Sequence, residues 1–176
     1  MIGSDAMKAL RKALDGLYLA AGALGAMFLL AILCLIVLQM LARWTGQTFP
    51  GATDYAGYCM AASSFLTLAY ALRRGAHVRV SILLGALGPR RRWGELACTL
   101  IGAIVATFFA RYAVKATIWS AKLGDVSQGQ DATPLWIPQL AMSAGTILLA
   151  LALWDRLIWI AAGGDPAADA PEGLEP

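Results

Sequence analysis

The chain has 176 residues, of which 59% are hydrophobic and only 14% charged, with a formal net charge of +3. Soluble domains average nearer a quarter charged residues, and here the apolar residues are gathered into long uncharged runs. That distribution excludes an ordinary soluble domain and points to a chain embedded in a membrane.

Residues 1–16 form a polar N-terminal lead carrying Lys8, Arg11 and Lys12. The first uncharged run follows, Leu17 to Ala42. It is longer than the roughly 7–15 residues of a signal-peptide core, so it reads as a retained span and not a cleaved leader. Residues 43–53, RWTGQTFPGAT, make a first outer loop, with Gly and Pro marking turns. The second run is Tyr55 to Leu72. The third, Leu96 to Ala110, is short, and crosses if Glu95 and Arg111 sit near the two headgroup layers by snorkelling. Its helix is expected to continue through RYAVKATIWSAKL, because nothing breaks it before Gly124. The fourth run, Ala132 to Trp154, begins with Pro134 and Pro138, where a helix tolerates proline. A helix needs about 20 mainly apolar residues to cross a bilayer core, and an open sheet leaves backbone groups unsatisfied there. Residues 17–160 therefore read as an all-α integral membrane domain of four transmembrane helices. Residues 161–176, AAGGDPAADAPEGLEP, are acidic and lack apolar payload, so a disordered cytoplasmic tail is expected.

The window RRGAHVRVSILLGALGPRRR, residues 73–92, holds Arg73, Arg74, Arg79, Arg90, Arg91 and Arg92 together with the single histidine, His77. Cytoplasmic loops carry excess Lys and Arg. With four spans, Lys8, Arg11, Lys12, those six arginines and Arg156 share one side, against Arg43, Arg111, Lys115 and Lys122 on the other. Both termini and the central loop are thus expected in the cytoplasm. Val80, Leu83, Leu84 and Leu87 recur at helical spacing before Gly88 and Pro89. They predict a short amphipathic interfacial helix between helices two and three, with Arg79 and Arg90 to Arg92 against inner-leaflet phospholipid. Nucleic-acid binding is not expected, because it needs a basic patch on a folded domain.

Small residues recur at spacings that let membrane helices approach closely. They are Gly22 and Ala26; Gly57, Ser64 and Ala71; Gly102, Ala106 and Ala110; and Ser143, Gly145, Thr146 and Ala150. They predict a compact four-helix bundle, with docking of another membrane protein as the alternative. Cys34, Cys59 and Cys98 form no C-x-x-C pair and read as small buried hydrophobes. The middle of every span is uncharged, whereas transporters usually hold ionisable groups there. No phosphate-binding loop and no nucleophile with a nearby base can be assembled. No catalytic, cofactor-binding or metal-ligating residue is expected, and the chain reads as an accessory subunit and not an enzyme.

The stretch DYAGYCMAASSFLTLAYALRRGAHVRVSILLGALGPRRR resembles the small membrane subunit, of DctQ type, of tripartite ATP-independent periplasmic (TRAP) transporters. An acidic residue opens helix two, a basic and glycine step closes it, and a G-x-H-x-[RK]-[VI] signature follows. Here these are Asp54, Arg73 or Arg74, Gly75, His77, Arg79 and Val80. Asp54 stands where the family usually has Glu, and Ser81 where it often has Asp. A second likeness is TPLWIPQLAMSAGTILL, with Pro134, Trp136, Pro138 and Gly145. The resemblance implies four spans in a bacterial inner membrane and no cofactor. It implies a large TRAP membrane subunit carrying the substrate and sodium sites, and a periplasmic substrate-binding protein that captures an organic acid. This chain would brace the first and help dock the second. A stand-alone homodimeric transporter and a non-transport membrane assembly subunit are the competing readings.

Overall fold

A computed structural model describes residues 2–47, 49–74, 91–129 and 132–163, with side chains from residue 11 onward except that of residue 91. Four helices carry it: α1 (Ile2–Trp44), α2 (Ala52–Arg73), α3 (Arg91–Leu123) and α4 (Trp136–Ala161). The expected interfacial helix, with Gly75, His77, Arg79 and Arg90, lies outside the described residues, as do residues 164–176 of the acidic tail. The N-terminal lead is helical from Ile2, continuous with the first span.

Segments within α1 (Arg11–Trp44), α3 (Arg92–Leu123) and α4 are long and apolar enough to cross a membrane. The 22 residues of α2 include Ser63, Ser64, Thr67 and three tyrosines, and α2 lacks the long continuous apolar stretch of the other three. α1 packs on α2, α2 on α4, and α4 on α3. The helices stand in the spatial order α1, α2, α4, α3, so α2 and α4 are each covered on two flanks by protein. This row differs from the compact bundle expected from the small-residue spacings.

The helices touch through small side chains and turn large ones outward. α3 buries Ala103, Ala106, Ala110, Ala113, Thr117 and Ser120, one stripe along its length, while Ile101, Ile104, Val105, Phe108 and Trp119 are exposed. A soluble helix does the reverse, because water penalises exposed aliphatic surface and lipid does not. The stripe faces Ser143, Thr146 and Ala150 of α4. At Gly145 the backbones of α2 and α4 cross. A Cβ there would fall 2.5 Å from the Phe65 carbonyl carbon, and the Phe65 ring stacks on Phe109 of α3 at 6.3 Å between centroids. α1 meets α2 at Gly22, under the Tyr70 ring, and at Gly25, where the Thr67 methyl fills the notch. The Thr67 hydroxyl donates to the Ser63 carbonyl at 2.8 Å, which fixes the methyl's direction.

The expected small-residue faces hold for α3 and α4 and fail for α2 and part of α1. Gly57, Ser64 and Ala26 are exposed. On α2 the packed positions are Ala62, Ser63, Leu66, Ala69 and Leu72, because the helix is gripped on two flanks and the Gly57–Ser64 edge lies between them. Cys34 and Cys98 are exposed on outward faces and not buried, and Cys59 is half-buried. Glu95 turns inward and is 5% exposed, where a headgroup-facing carboxylate was expected.

The helix ends follow local chemistry. α3 stops at Gly124, whose φ of +68° suits only a residue without a Cβ. The chain then forms an isolated antiparallel bridge, Val126 to Pro134, and Leu135 N–H donates to the Asp125 carbonyl at 3.0 Å. Pro134 biases its predecessor away from helix, so α4 starts at Trp136 and not at Ala132. Pro138 occupies the third helical position, where its missing N–H is one of the groups a helix start leaves unpaired anyway.

Candidate functional site

Arg73, in the last turn of α2, ties three helices together at one end of the molecule. Its guanidinium pairs with Asp15 of α1 and, at 3.3 Å, with Asp155 of α4. It also lies 5.5 Å from the centroid of the Tyr18 ring. Tyr18 is 1% exposed and packs with Ala69, Leu72 and Ala152, so one small apolar cluster joins α1, α2 and α4 beneath the ion pairs. Arg74 lies over the Tyr70 ring at 5.3 Å. Asp15, Tyr18, Arg73, Arg74 and Asp155, with Arg11, Arg156 and Trp159, line an open cavity of about 570 Å³.

The same end is fastened to α3 by Arg92, which donates to the Ile160 and Ala161 carbonyls at 3.1 and 3.3 Å. A cation there satisfies carbonyls that the α4 terminus leaves over and offsets the negative end of its dipole. Arg92, expected at a lipid surface, thus has protein acceptors. Further along, Trp154 Nε1 donates to Thr107 Oγ1 at 3.0 Å, and the Thr117 and Ser143 hydroxyls meet at 2.8 Å. These join α3 to α4 without any charge.

At the opposite end Asp54 sits in the first turn of α2, where a carboxylate favours the positive end of the helix dipole. The Tyr58 hydroxyl donates to Ser127 Oγ at 2.7 Å, docking the α3–α4 connection onto α2. Among the described residues no three His, Cys, Asp or Glu side chains gather as a metal site would require.

Of the residues singled out in the sequence, Arg73, Gly145, Pro138, Asp54 and Arg92 hold junctions between helices or helix ends, and they are spread over both ends and the centre. Gly75, His77, Arg79 and Arg90 lie outside the described residues, and Arg91 is described only in its backbone. Sequence reasoning missed Asp15, Asp155 and Tyr18. The signal was available: Asp15 and Asp155 are the acids that border the first and fourth uncharged runs on the side assigned to Arg73.

A family model for the DctQ component of tripartite ATP-independent periplasmic transporters matches residues 32–162. The chain belongs to that family. The match covers all of α2, α3 and α4 and the last third of α1. It makes the chain a small membrane component of a TRAP transporter, a family of transporter parts and not of enzymes. Membership implies association with a large membrane subunit and a periplasmic binding protein, in a bacterial inner membrane. No curated protein matches the sequence. Within this DctQ-type subunit, Asp15 and Tyr18 lie before the matched segment, so the end tied by Arg73 combines residues inside and outside it.

Proposed function

We propose that this chain is the non-translocating brace of its transporter. It holds the large TRAP subunit, which carries substrate and sodium, and helps seat the periplasmic binding protein that delivers an organic acid such as a dicarboxylate. One observation carries the reading. Residues 16–42, 55–72, 96–110 and 136–154 contain no charged side chain, while the helices interlock through Ala, Gly, Ser and Thr. A chain that moved an organic acid and sodium would need groups to hold them at depth. A rigid, charge-free slab whose outward surface is aliphatic suits a support in lipid beside a moving partner.

On this reading α2 is a fourth span. Its 22 residues extend about 33 Å, enough for the hydrocarbon core. The excess of Lys and Arg beside the Arg73 end then sets both termini and residues 75–90 in the cytoplasm. The loops around Thr48 to Asp54 and Lys122 to Thr133 face the periplasm and form part of the docking surface. The Tyr58–Ser127 hydrogen bond supports treating them as one surface, because it joins the second loop to the helix that the first one opens.

The test is a mild-detergent pull-down from the native membrane with mass spectrometry of the companions. Recovery of one large, many-spanning membrane protein in about equal amount supports the brace. Recovery of this chain alone, transporting a solute in liposomes, overturns it.

A further inference from the structure

The uncharged runs of α3 and α4 are out of step. The two helices pack antiparallel, and two hydrogen bonds fix their register: Trp154 with Thr107, and Thr117 with Ser143. Arg111 and Lys115 stand between those two rungs on α3. They therefore lie opposite the part of α4 between Ser143 and Trp154, inside its uncharged run. The same part of α4 crosses the middle of α2, where Gly145 meets Phe65. The level of the Asp15, Arg73 and Asp155 charges marks one boundary of the membrane core. Arg111 and Lys115 stand roughly 10 and 15 Å inward of Asp155, at 1.5 Å per residue, in a core about 30 Å thick. Arg111 is thus not at a headgroup layer, where the sequence places it. Snorkelling serves charges near helix ends, and these two cations are well inside a 33-residue helix. Charges at such depth are costly in lipid and face a partner or an aqueous space. Neither side chain has an ion pair or hydrogen bond among the described residues.

The spacing on α3 is a second, independent observation. Ile104, Phe108, Arg111, Lys115, Ile118 and Lys122 recur at alternating steps of four and three, and all six are exposed. That is the spacing of a seam for another helix. It runs along the face opposite the buried alanines, at the free end of the row. The uncovered face of α1 differs, because residues 27–42 carry no charge and lipid alone suits it. A second copy of this chain does not fit the α3 seam. A two-fold axis along the membrane normal would set Arg111 near Arg111 and Lys115 near Lys115, like charges at low dielectric.

We propose that this stripe seats a transmembrane helix of the large subunit, and that the helix carries carboxylates at the depth of Arg111 and Lys115. Ile104, Phe108 and Ile118 pack against it, and the two cations pair with its acids away from water. Both cations are on the outer edge of the row, apart from the interlocked small residues. The inference deepens the brace reading and rests on it, since it names the face by which the large subunit is held.

The experiment places a photo-crosslinking amino acid at Phe108 or Ile118 in the native membrane and maps the product by mass spectrometry. The affinity of the large subunit for the full chain is titrated in parallel in mild detergent. The crosslinks are expected on a large-subunit helix that contains Asp or Glu. Arg111→Leu with Lys115→Leu leaves the isolated chain at least as stable as wild type, because both side chains are exposed. It lowers the affinity roughly thirtyfold, by stranding the partner's acids. Arg111→Lys with Lys115→Arg keeps both charges and most of the affinity. A wild-type chain that binds no large subunit ends the brace reading and this inference together. Binding with crosslinks only to lipid, to a second copy or to a helix without acids overturns this inference alone, as does unchanged affinity in the leucine variant.

Discussion

The uncharged run of α1 from Leu17 divides at Gly25 into two parts with opposite surroundings. Up to Gly25 the helix presents Tyr18, Ala21, Gly22 and Gly25 to its neighbours, and these positions are buried or nearly so. From Met27 to Trp44 no residue is buried, and Leu29, Leu30, Leu33, Ile36, Val37 and Leu38 are exposed around much of the circumference. The change tracks side-chain size. Small residues allow backbone approach in the first half, and the run of Leu, Ile and Val in the second holds any neighbour away. Apolar character puts α1 in the membrane, and the size of its side chains decides where it joins the protein.

Substitutions that add bulk to the close crossings should break this contrast most strongly. Gly145→Leu forces apart the α2 and α4 backbones and should cost about 3 kcal/mol, read as a large drop in melting temperature in detergent. Gly25→Leu displaces a Thr67 methyl that its own hydroxyl bond holds in place, and should cost about 2 kcal/mol by the same measurement. It should also detach the first half of α1, seen as faster proteolysis near residue 15. Arg73→Ala removes both ion pairs. Because Arg73 is one-third exposed and Asp15 over half, the expected loss is about 1 kcal/mol. A double-mutant cycle with Asp155→Asn should recover only the share of it that belongs to the Arg73–Asp155 pair.

Thr117→Val deletes the hydroxyl contact with Ser143 and should cost about 0.6 kcal/mol, the usual size of such a bond between membrane helices. Leu33→Ala, in the uncovered half of α1, should change the stability of the isolated chain by less than about 0.5 kcal/mol. It should still weaken recovery of the large subunit in the pull-down if that half is the contact. A large stability loss from Leu33→Ala would remove the contrast between the halves.

The three helices long and apolar enough to cross a membrane were legible in the sequence because their signal is simple: long apolar runs with charges at the ends. The extension of α3 to Leu123 was legible for the same reason, since Gly124 is the first residue able to stop it. The row order was not. Spacing shows that Gly57, Ser64 and Ala71 share one edge of α2, but not whether a neighbour occupies that edge. The two neighbours of α2 grip Ala62, Ser63, Leu66 and Ala69 instead. The cysteines misled for a related reason: small and apolar means buried in water, but in lipid the outward face is equally apolar, so Cys34 and Cys98 sit there freely. Arg73 was singled out from its place in a motif. Its function as a three-helix tie depends on Asp15 and Asp155, which are 58 and 82 positions away, and no local pattern links them.

α3 runs 33 residues without interruption, about 50 Å against a hydrocarbon core of about 30 Å. It has no proline, and its two glycines, Gly94 and Gly102, lie in its first half. The half carrying Arg111, Lys115 and Lys122 therefore has no hinge. A sideways push on the tip near Lys122 cannot be absorbed by local bending. It acts as a torque on the whole rod, and the fulcrum is the seam of alanines against α4. Whatever leans on that tip from outside reaches the Arg92 end as leverage, with the short polar contacts Thr117–Ser143 and Thr107–Trp154 as the rivets that keep the seam from shearing.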